Sequence, residues 1–473
     1  MNKALNVWLA ASLLFFCLPT LAGDLPGPIR KLMRDYRIPQ KSVSIYVHRI
    51  GDEEPQLQWL ENKPRNPAST IKLLTTFAAL ELLGPAYSWK TEVYVDSPPS
   101  NSVLNGDLYL KGYGDPYLVS EQFWRLLREV RHRGLKNIKG DLVLDDSYFA
   151  PDKIDTSEFD GRPHRAYNVS PSAFLLNFQS VNFLFRPSDT GKSINVVADP
   201  DPGIRIKNKL RPVAGRCRNW KRRMRMDIAE SESVSFSGRY ARECGDKNMY
   251  RVVADADRYV YGVFNSYWKE LGGSFTGKLN KAVVPESASL FYQKHSQPLP
   301  DIIRAINKYS NNVMTRQLLL TLAAEHAGLP GTTENGVAVI KDWLQQRELS
   351  DPGLVLDNGA GLSRDTRISA SHLGRILMAA FHSPRMPELM ASLPITGTDG
   401  TMARRFTDSP LTGRVHVKTG LLDNVRGLAG YVLDQQQHRW VVVILHNHSG
   451  APFRAGEQLQ GAVLDWVLNQ SDG

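Results

Sequence analysis

Apolar positions change their spacing several times along the chain. Val43, Ile45 and Val47 alternate with their neighbours and predict a strand over 42–48. From Ile71 onward Leu73, Leu74, Phe77, Ala78, Leu80 and Leu82 cover nearly every face of one helix, which Gly84-Pro85 stops. A helix apolar on so many sides is a buried one. After Trp89 the segments shorten: strands at 91–95, 108–110 and 141–144, a helix at 122–132, and a Pro-, Asp- and Ser-rich loop over 150–173. Strands resume at 178–186, 193–198, 203–207, 233–237 and 249–254, and a helix follows at 257–271. From Leu299 long helices return at 301–306, 313–326, 334–346 and 369–381. Strands at 415–419, 427–433 and 440–447 then suit one antiparallel sheet, and a helix at 453–468 closes the chain. The pattern is α/β (α+β), with helix-rich flanks around a strand-rich middle. It reads as one discontinuous outer domain (23–92 and 285–473) interrupted by a strand-rich insertion. A length of 473 residues suits roughly three domains at about 150 residues each.

Composition adds location and partners. Lys3, an apolar run from Val7 to Leu18 and the small-residue end Thr20-Leu21-Ala22 make 1–22 a cleavable signal peptide. The run is short for a membrane span, so an exported, periplasmic chain is expected. Beyond the signal only Cys217 and Cys244 remain. In an exported protein such a pair is most simply a disulfide, closing a loop of 27 residues and contributing about 3 kcal/mol; two separate buried thiols are the alternative. Two cysteines without neighbouring histidines do not make a zinc site. No metal or cofactor is expected. The formal charge of +10 is concentrated between Arg205 and Arg225. An exported chain rarely meets nucleic acid, so an anionic envelope surface is the better candidate for peripheral contact. A solvated charged face and a homodimer stay open.

The chemistry starts at Pro67-Ala68-Ser69-Thr70-Ile71-Lys72. Pro67 suits a first helical turn, and Ser69 and Lys72, three apart, then lie side by side. A lysine at the edge of a core tends to lose its proton, which puts a base beside a nucleophile. Ser266-x-x-Lys269 also fits this short pattern, but it lies inside a helix that would not present the serine. Ser310-Asn311-Asn312 precedes the 313–326 helix, and offers a second hydroxyl and an amide. Lys418-Thr419-Gly420 ends a strand, where the lysine and threonine suit a carboxylate and Gly420 would admit a substrate backbone. A glycine-rich loop, Asp357 to Arg364, brings a guanidinium suited to a carboxylate.

Helix-start Ser-x-x-Lys, then Ser-x-Asn, then strand-end Lys-Thr-Gly is the set used by penicillin-binding proteins and β-lactamases. Together with Leu110 to Pro116, Asp145 to Phe149 and Asn358 to Arg364, it makes the chain resemble the class C low-molecular-mass penicillin-binding proteins, the D-alanyl-D-alanine carboxypeptidase/endopeptidase family. The resemblance implies a transpeptidase/β-lactamase-like helix–sheet–helix domain carrying a two-domain insertion, one domain over 93–200 and 256–284 and the other over 201–255. It implies a penicillin-sensitive serine hydrolase acting on peptidoglycan stem peptides and cross-links, with β-lactam antibiotics as covalent inhibitors. Ser69, Lys72, Ser310 and Asn312 are its catalytic residues by resemblance. Lys418, Thr419, Gly420 and the Leu421 N–H would hold the substrate, and Asp145, Phe149 and Arg364 would line a pocket for the stem peptide's diamino-acid side chain. Leu421 and Asp423 depart from the residues common in relatives, which bears on substrate preference. A β-lactamase of the same fold and a non-catalytic wall-binding or sensor protein are the rival readings.

Overall fold

The computed structural model describes residues 24–151, 155–229 and 233–470; the expected signal segment lies outside the described residues. The strands Val415–Leu422, Val425–Leu433, Arg439–Asn447, Val43–Arg49 and Leu57–Trp59 lie side by side in that order as one antiparallel sheet. Its last-formed strand shows how both faces are used. Val441, Val443 and Leu445 join the helices Lys72–Leu82, Leu299–Tyr309, Asn312–His326 and Ala370–His382 on one side. Val442 and Ile444 join Ile29 and Met33 of Gly27–Asp35 and Leu459 and Val463 of Arg454–Leu468 on the other. A period-two strand buried on both faces reads as a continuous apolar run, and Trp440 to Leu445 is one. The result is the expected helix–sheet–helix unit.

The middle of the chain forms separate sheets, with seams displaced from the expected ones. Ser289–His295 pairs with Lys90–Val95, so the inserted sheet starts before 92 and continues past 285. The pairing joins segments far apart in sequence, and local composition carries no trace of it. Lys247–Arg251 pairs with Val181–Pro187, which pairs in turn with Ile194–Asp199. The expected boundary at 201 therefore cuts through a sheet. Two three-stranded sheets face each other across Phe183, Phe185, Phe236 and Tyr240, with edge-on contacts such as Phe183–Phe236 at 5.0 Å. The second sheet contains a strand that the sequence pattern left unrecognised, Met224–Ala229.

The cysteines are joined: Cys217 and Cys244 form a disulfide that ties a basic loop to the end of Ser233–Ala241. Closing 27 residues restricts the unfolded chain. Replacing both cysteines by alanine should lower the stability of the insertion by about 2–4 kcal/mol, visible as a lower melting temperature in calorimetry, while penicillin acylation below that temperature stays intact.

Candidate active site

The helix does not begin at Pro67, as expected. A 3-10 turn, Ala68–Ile71, precedes the α-helix Lys72–Leu82, and Ala68 has φ +47°. A left-handed alanine costs on the order of 1–3 kcal/mol, so its surroundings must impose it. They do. Asn66 Oδ1 accepts from the Ala68 N–H at 2.8 Å, while Asn66 and Asn447 exchange backbone-to-amide hydrogen bonds at 2.9 and 3.0 Å. Two glycines close over the same turn. A Cβ at Gly361 would stand 2.1 Å from the Ala68 carbonyl oxygen, and one at Gly420 would stand 2.5 Å from that of Pro67 and 3.1 Å from the Ser69 nitrogen. The space left by Gly420 is thus filled by the chain's own turn at 67–69, which corrects the expected reason for that glycine.

The turn sets Ser69 Oγ 3.0 Å from Lys72 Nζ. Lys72 donates to Asn312 Oδ1 at 2.7 Å and to the Ala360 carbonyl. A neutral amine has two hydrogens and one lone pair. With both hydrogens committed to those acceptors, the lone pair is left for the Ser69 hydroxyl. Burial, then repulsion from Lys418 and Arg316, hold the Lys72 amine well below the usual lysine value. The site therefore favours the form of Lys72 that can accept a proton.

A second hydroxyl–amine pair stands beside the first. Ser310 adopts a left-handed conformation (φ 57°) at the junction of Leu299–Tyr309 and Asn312–His326, where Asn311 caps the second helix through the Met314 N–H. Lys418 Nζ donates to Ser310 Oγ at 2.9 Å and to the Thr419 carbonyl at 2.8 Å. Burial lowers its amine to about 7.

Val415–Leu422 is an edge strand. The Val417 N–H points away from the sheet to the Pro394 carbonyl, and the Val415 carbonyl accepts from Thr396. Alternation then sends the Thr419 and Leu421 N–H groups to the same open side, and neither has a backbone partner among the described residues. Gly420 stands against Ser69, so the Leu421 N–H belongs to the strand residue next to the one that the Ser69 backbone meets. Thr419 Oγ1 donates to Thr401 Oγ1 at 2.8 Å, adding a hydroxyl that no motif announces.

The expected side-chain pocket divides. Asp145 is buried: it accepts from Ser147 N and Oγ, from the Val284 N–H, and from Lys111 at 3.1 Å. Burial pushes its carboxyl up, but those hydrogen bonds outweigh it and leave the group below its ordinary value. Phe149 packs under Gly114 and against Tyr148, Leu320 and Ala324. Neither side chain is available to a ligand, because Asp145 caps its own strand end and Phe149 fills a core. Arg364 stands elsewhere, with its guanidinium 5.1 Å from the Phe159 ring centre and donating to the Phe159 carbonyl. A cavity of about 420 Å³ opens there, lined by Asp155, Glu158, Phe159, Asn358 and Arg364. Its far wall is the loop whose Ala360 carbonyl holds Lys72. The sequence did carry a signal for this: Asp-x-x-x-Phe occurs at 145–149 and again at 155–159, and the first copy is the structural one.

Comparison with known proteins follows the geometry. The model of the D-Ala-D-Ala carboxypeptidase 3 (S13) family matches residues 25–465. A D-alanyl-D-alanine carboxypeptidase of Actinomadura sp. is 26% identical over 424 residues, 86% of this chain and 78% of the relative. One from Haemophilus influenzae is 26% identical over 376 residues, 77% of each. The crystal structure of penicillin binding protein 4 from Haemophilus influenzae superposes with a TM-score of 0.77 at 22% identity, over 93% of this chain and 99% of that one. A penicillin G-acylated predatory endopeptidase from Bdellovibrio bacteriovorus shares the fold at a TM-score of 0.52 and 15% identity, over 91% of this chain and 94% of that one.

The position of the Asn312 amide yields a test. In Asn312→Asp a carboxylate would face Lys72 and favour its charged form, raising its pKa by about one unit or more. Below that pKa the base is protonated, so the acid limb of the pH profile for penicillin acylation should move to higher pH by the same amount. An unmoved limb would remove Lys72 as the base.

Proposed function

The chain belongs to the D-Ala-D-Ala carboxypeptidase 3 (S13) family, and on that premise we propose how its residues carry out acyl transfer. It is a serine-type hydrolase of the D-Ala-D-Ala carboxypeptidase/endopeptidase kind. Ser69 Oγ attacks the carbonyl between two D-alanines, or that of a D-amino-acid cross-link, as Lys72 takes its proton. The negative charge formed on the carbonyl oxygen is met by the Ser69 and Leu421 N–H groups. Each such donor typically contributes about 2.7–4 kcal/mol to the transition state. The proton that Lys72 takes reaches the leaving amine through Ser310, whose hydroxyl Lys418 holds, so Lys72 is neutral again after acylation. Thr419, with Thr401 behind it, and Lys418 receive the terminal carboxylate. Water then enters the same cycle with Lys72 as base and releases the acyl group. The observation that carries this reading is the 3.0 Å approach of Ser69 Oγ to an amine whose hydrogens are both engaged elsewhere.

The cavity at Arg364 suits the zwitterionic head of a diamino-acid side chain. Arg364 would take its carboxylate, Asp155 and Glu158 its ammonium, with Phe159 as the apolar wall. This reading moves the acidic and aromatic roles from Asp145 and Phe149 to residues ten positions later. The signal-like segment 1–22 supports export to the periplasm as part of this reading. Among the described residues no helix is long and apolar enough to cross a membrane.

Mass spectrometry after incubation with a penicillin should find one adduct, on the peptide carrying Ser69, that persists as an acylated enzyme. An adduct on Ser266 would overturn the assignment, and rapid clearance would favour a β-lactamase. Arg364→Ala should raise KM by about tenfold for a stem peptide bearing the zwitterionic diamino acid, the effect of losing one charge-assisted pair. Peptides with a neutral side chain there should be hydrolysed as before.

A further inference from the structure

The three-stranded sheet of the insertion has an outer face with a regular composition. Its first strand, Arg205–Val213, places Arg205, Lys207, Lys209 and Arg211 on that face, opposite Ser233, Ser235, Ser237 and Arg239 of the middle strand. The third strand sets Ala229, Asp227 and Arg225 against the same three serines. The alternate residues, Val234, Phe236 and Tyr240 with Met224, Met226 and Ile228, turn inward to the core. The outer face is therefore a column of cations, a column of hydroxyls and a mixed third column. Cations along one strand repeat about every 7 Å, and the two outer columns stand about 10 Å apart. Ser235 and Ser237, shorter than the basic side chains on one side and than Asp227 and Arg225 on the other, make a shallow furrow that runs with the strands, and Ser233 closes it as a buried residue. The acid on this face, Asp227, pairs with Arg225 at 2.9 Å. Among the described residues, Arg205, Lys207, Lys209 and Arg211 have no carboxylate partner within ion-pair distance, and no large exposed apolar side chain lies on the face.

We propose that this furrow is a second binding site, which holds an extended, carboxylate-bearing strand of the peptidoglycan polymer. The proposal rests on the functional reading above for the identity of the polymer. A row of cations with hydroxyl donors beside it matches a linear chain bearing anions at intervals: each carboxylate meets a guanidinium or ammonium, and the sugar and amide groups meet serine hydroxyls. A bilayer fits less well, since the face offers a furrow in place of a flat or convex surface and has no apolar side chain to insert. Attachment here would raise the local concentration of scissile peptides without touching the reacting atoms.

The experiment uses full-length mature protein with Ser69→Ala, so that the polymer is retained and not cut. Co-sedimentation with insoluble sacculi should show salt-sensitive binding. Adding Lys207→Glu, Lys209→Glu and Arg211→Glu should weaken it by about tenfold or more, and the milder pair Lys207→Gln and Lys209→Gln by a smaller factor. With Ser69 restored, both sets of variants should react with penicillin and release D-alanine from a soluble pentapeptide at the parent's rates, which also verifies folding. Undiminished retention on sacculi would overturn the proposal. So would binding to phosphatidylglycerol vesicles with none to sacculi, which would make the face a membrane contact. Failure of the Ser69 protein to release D-alanine from the soluble pentapeptide would instead overturn the functional reading, and with it the identity of the polymer.

Discussion

Two lysine amines are packed at the centre of this molecule without a carboxylate to neutralise either. Lys72 and Lys418 are fully buried, and among the described residues their partners are hydroxyls, an amide and backbone carbonyls. A carboxylate in either place would stabilise the charged amine and remove its value as a base or proton donor. The arrangement costs stability. An unfolded lysine binds a proton up to its ordinary value of 10.5, whereas these release theirs earlier. In the window from the depressed value up to 10.5 the unfolded chain holds more protons, so stability rises with pH there and the penalty is largest at the acid end. The apolar helix Lys72–Leu82, with residues from Lys72 to Leu80 buried, is what offsets it.

The rest of the outer domain fixes these amines in place. The nucleophile turn is held in a left-handed conformation by an asparagine pair and by glycines reaching in from a loop and from the sheet. Lys308, at the foot of Ser310, is tied to Asp399 at 2.6 Å and to the Leu393 carbonyl, which fixes the second hydroxyl from behind. Ser69, Ser310 and Lys418 come from three different parts of the chain. Precision among them depends on the sheet and helices being packed as one body.

Much of this was legible in the sequence because it is local. The apolar run after Ile71, the alternation at 42–48 and the three polar motifs each occupy a few consecutive residues, and the cysteine pair is legible from its count alone. Ser-x-x-Lys indicated that two groups are adjacent, but not that a left-handed alanine makes the presentation. What stayed hidden is non-local. Ser289–His295, with Leu290, Phe291 and Tyr292 in a row, shows no alternation, and its partner Lys90–Val95 lies about 200 residues away. Asp145 has the composition of a binding residue, and only Lys111 from the neighbouring strand and Val284 from a remote loop reveal it as a strand-end cap. Thr401 belongs to no motif and is found only because the chain returns it to Thr419.

The edge strand Val415–Leu422 is not open along its whole length. Residues 394–396 already occupy it at Val415 and Val417, so its unclaimed donors begin only at Thr419. An added chain running antiparallel would point its carboxyl end towards the occupied half. It would have to finish there within a residue or two. On the proposed function, the protein's own backbone would act as a measuring stop that brings the bond nearest a peptide's terminus, in preference to one in its interior, over Ser69 Oγ.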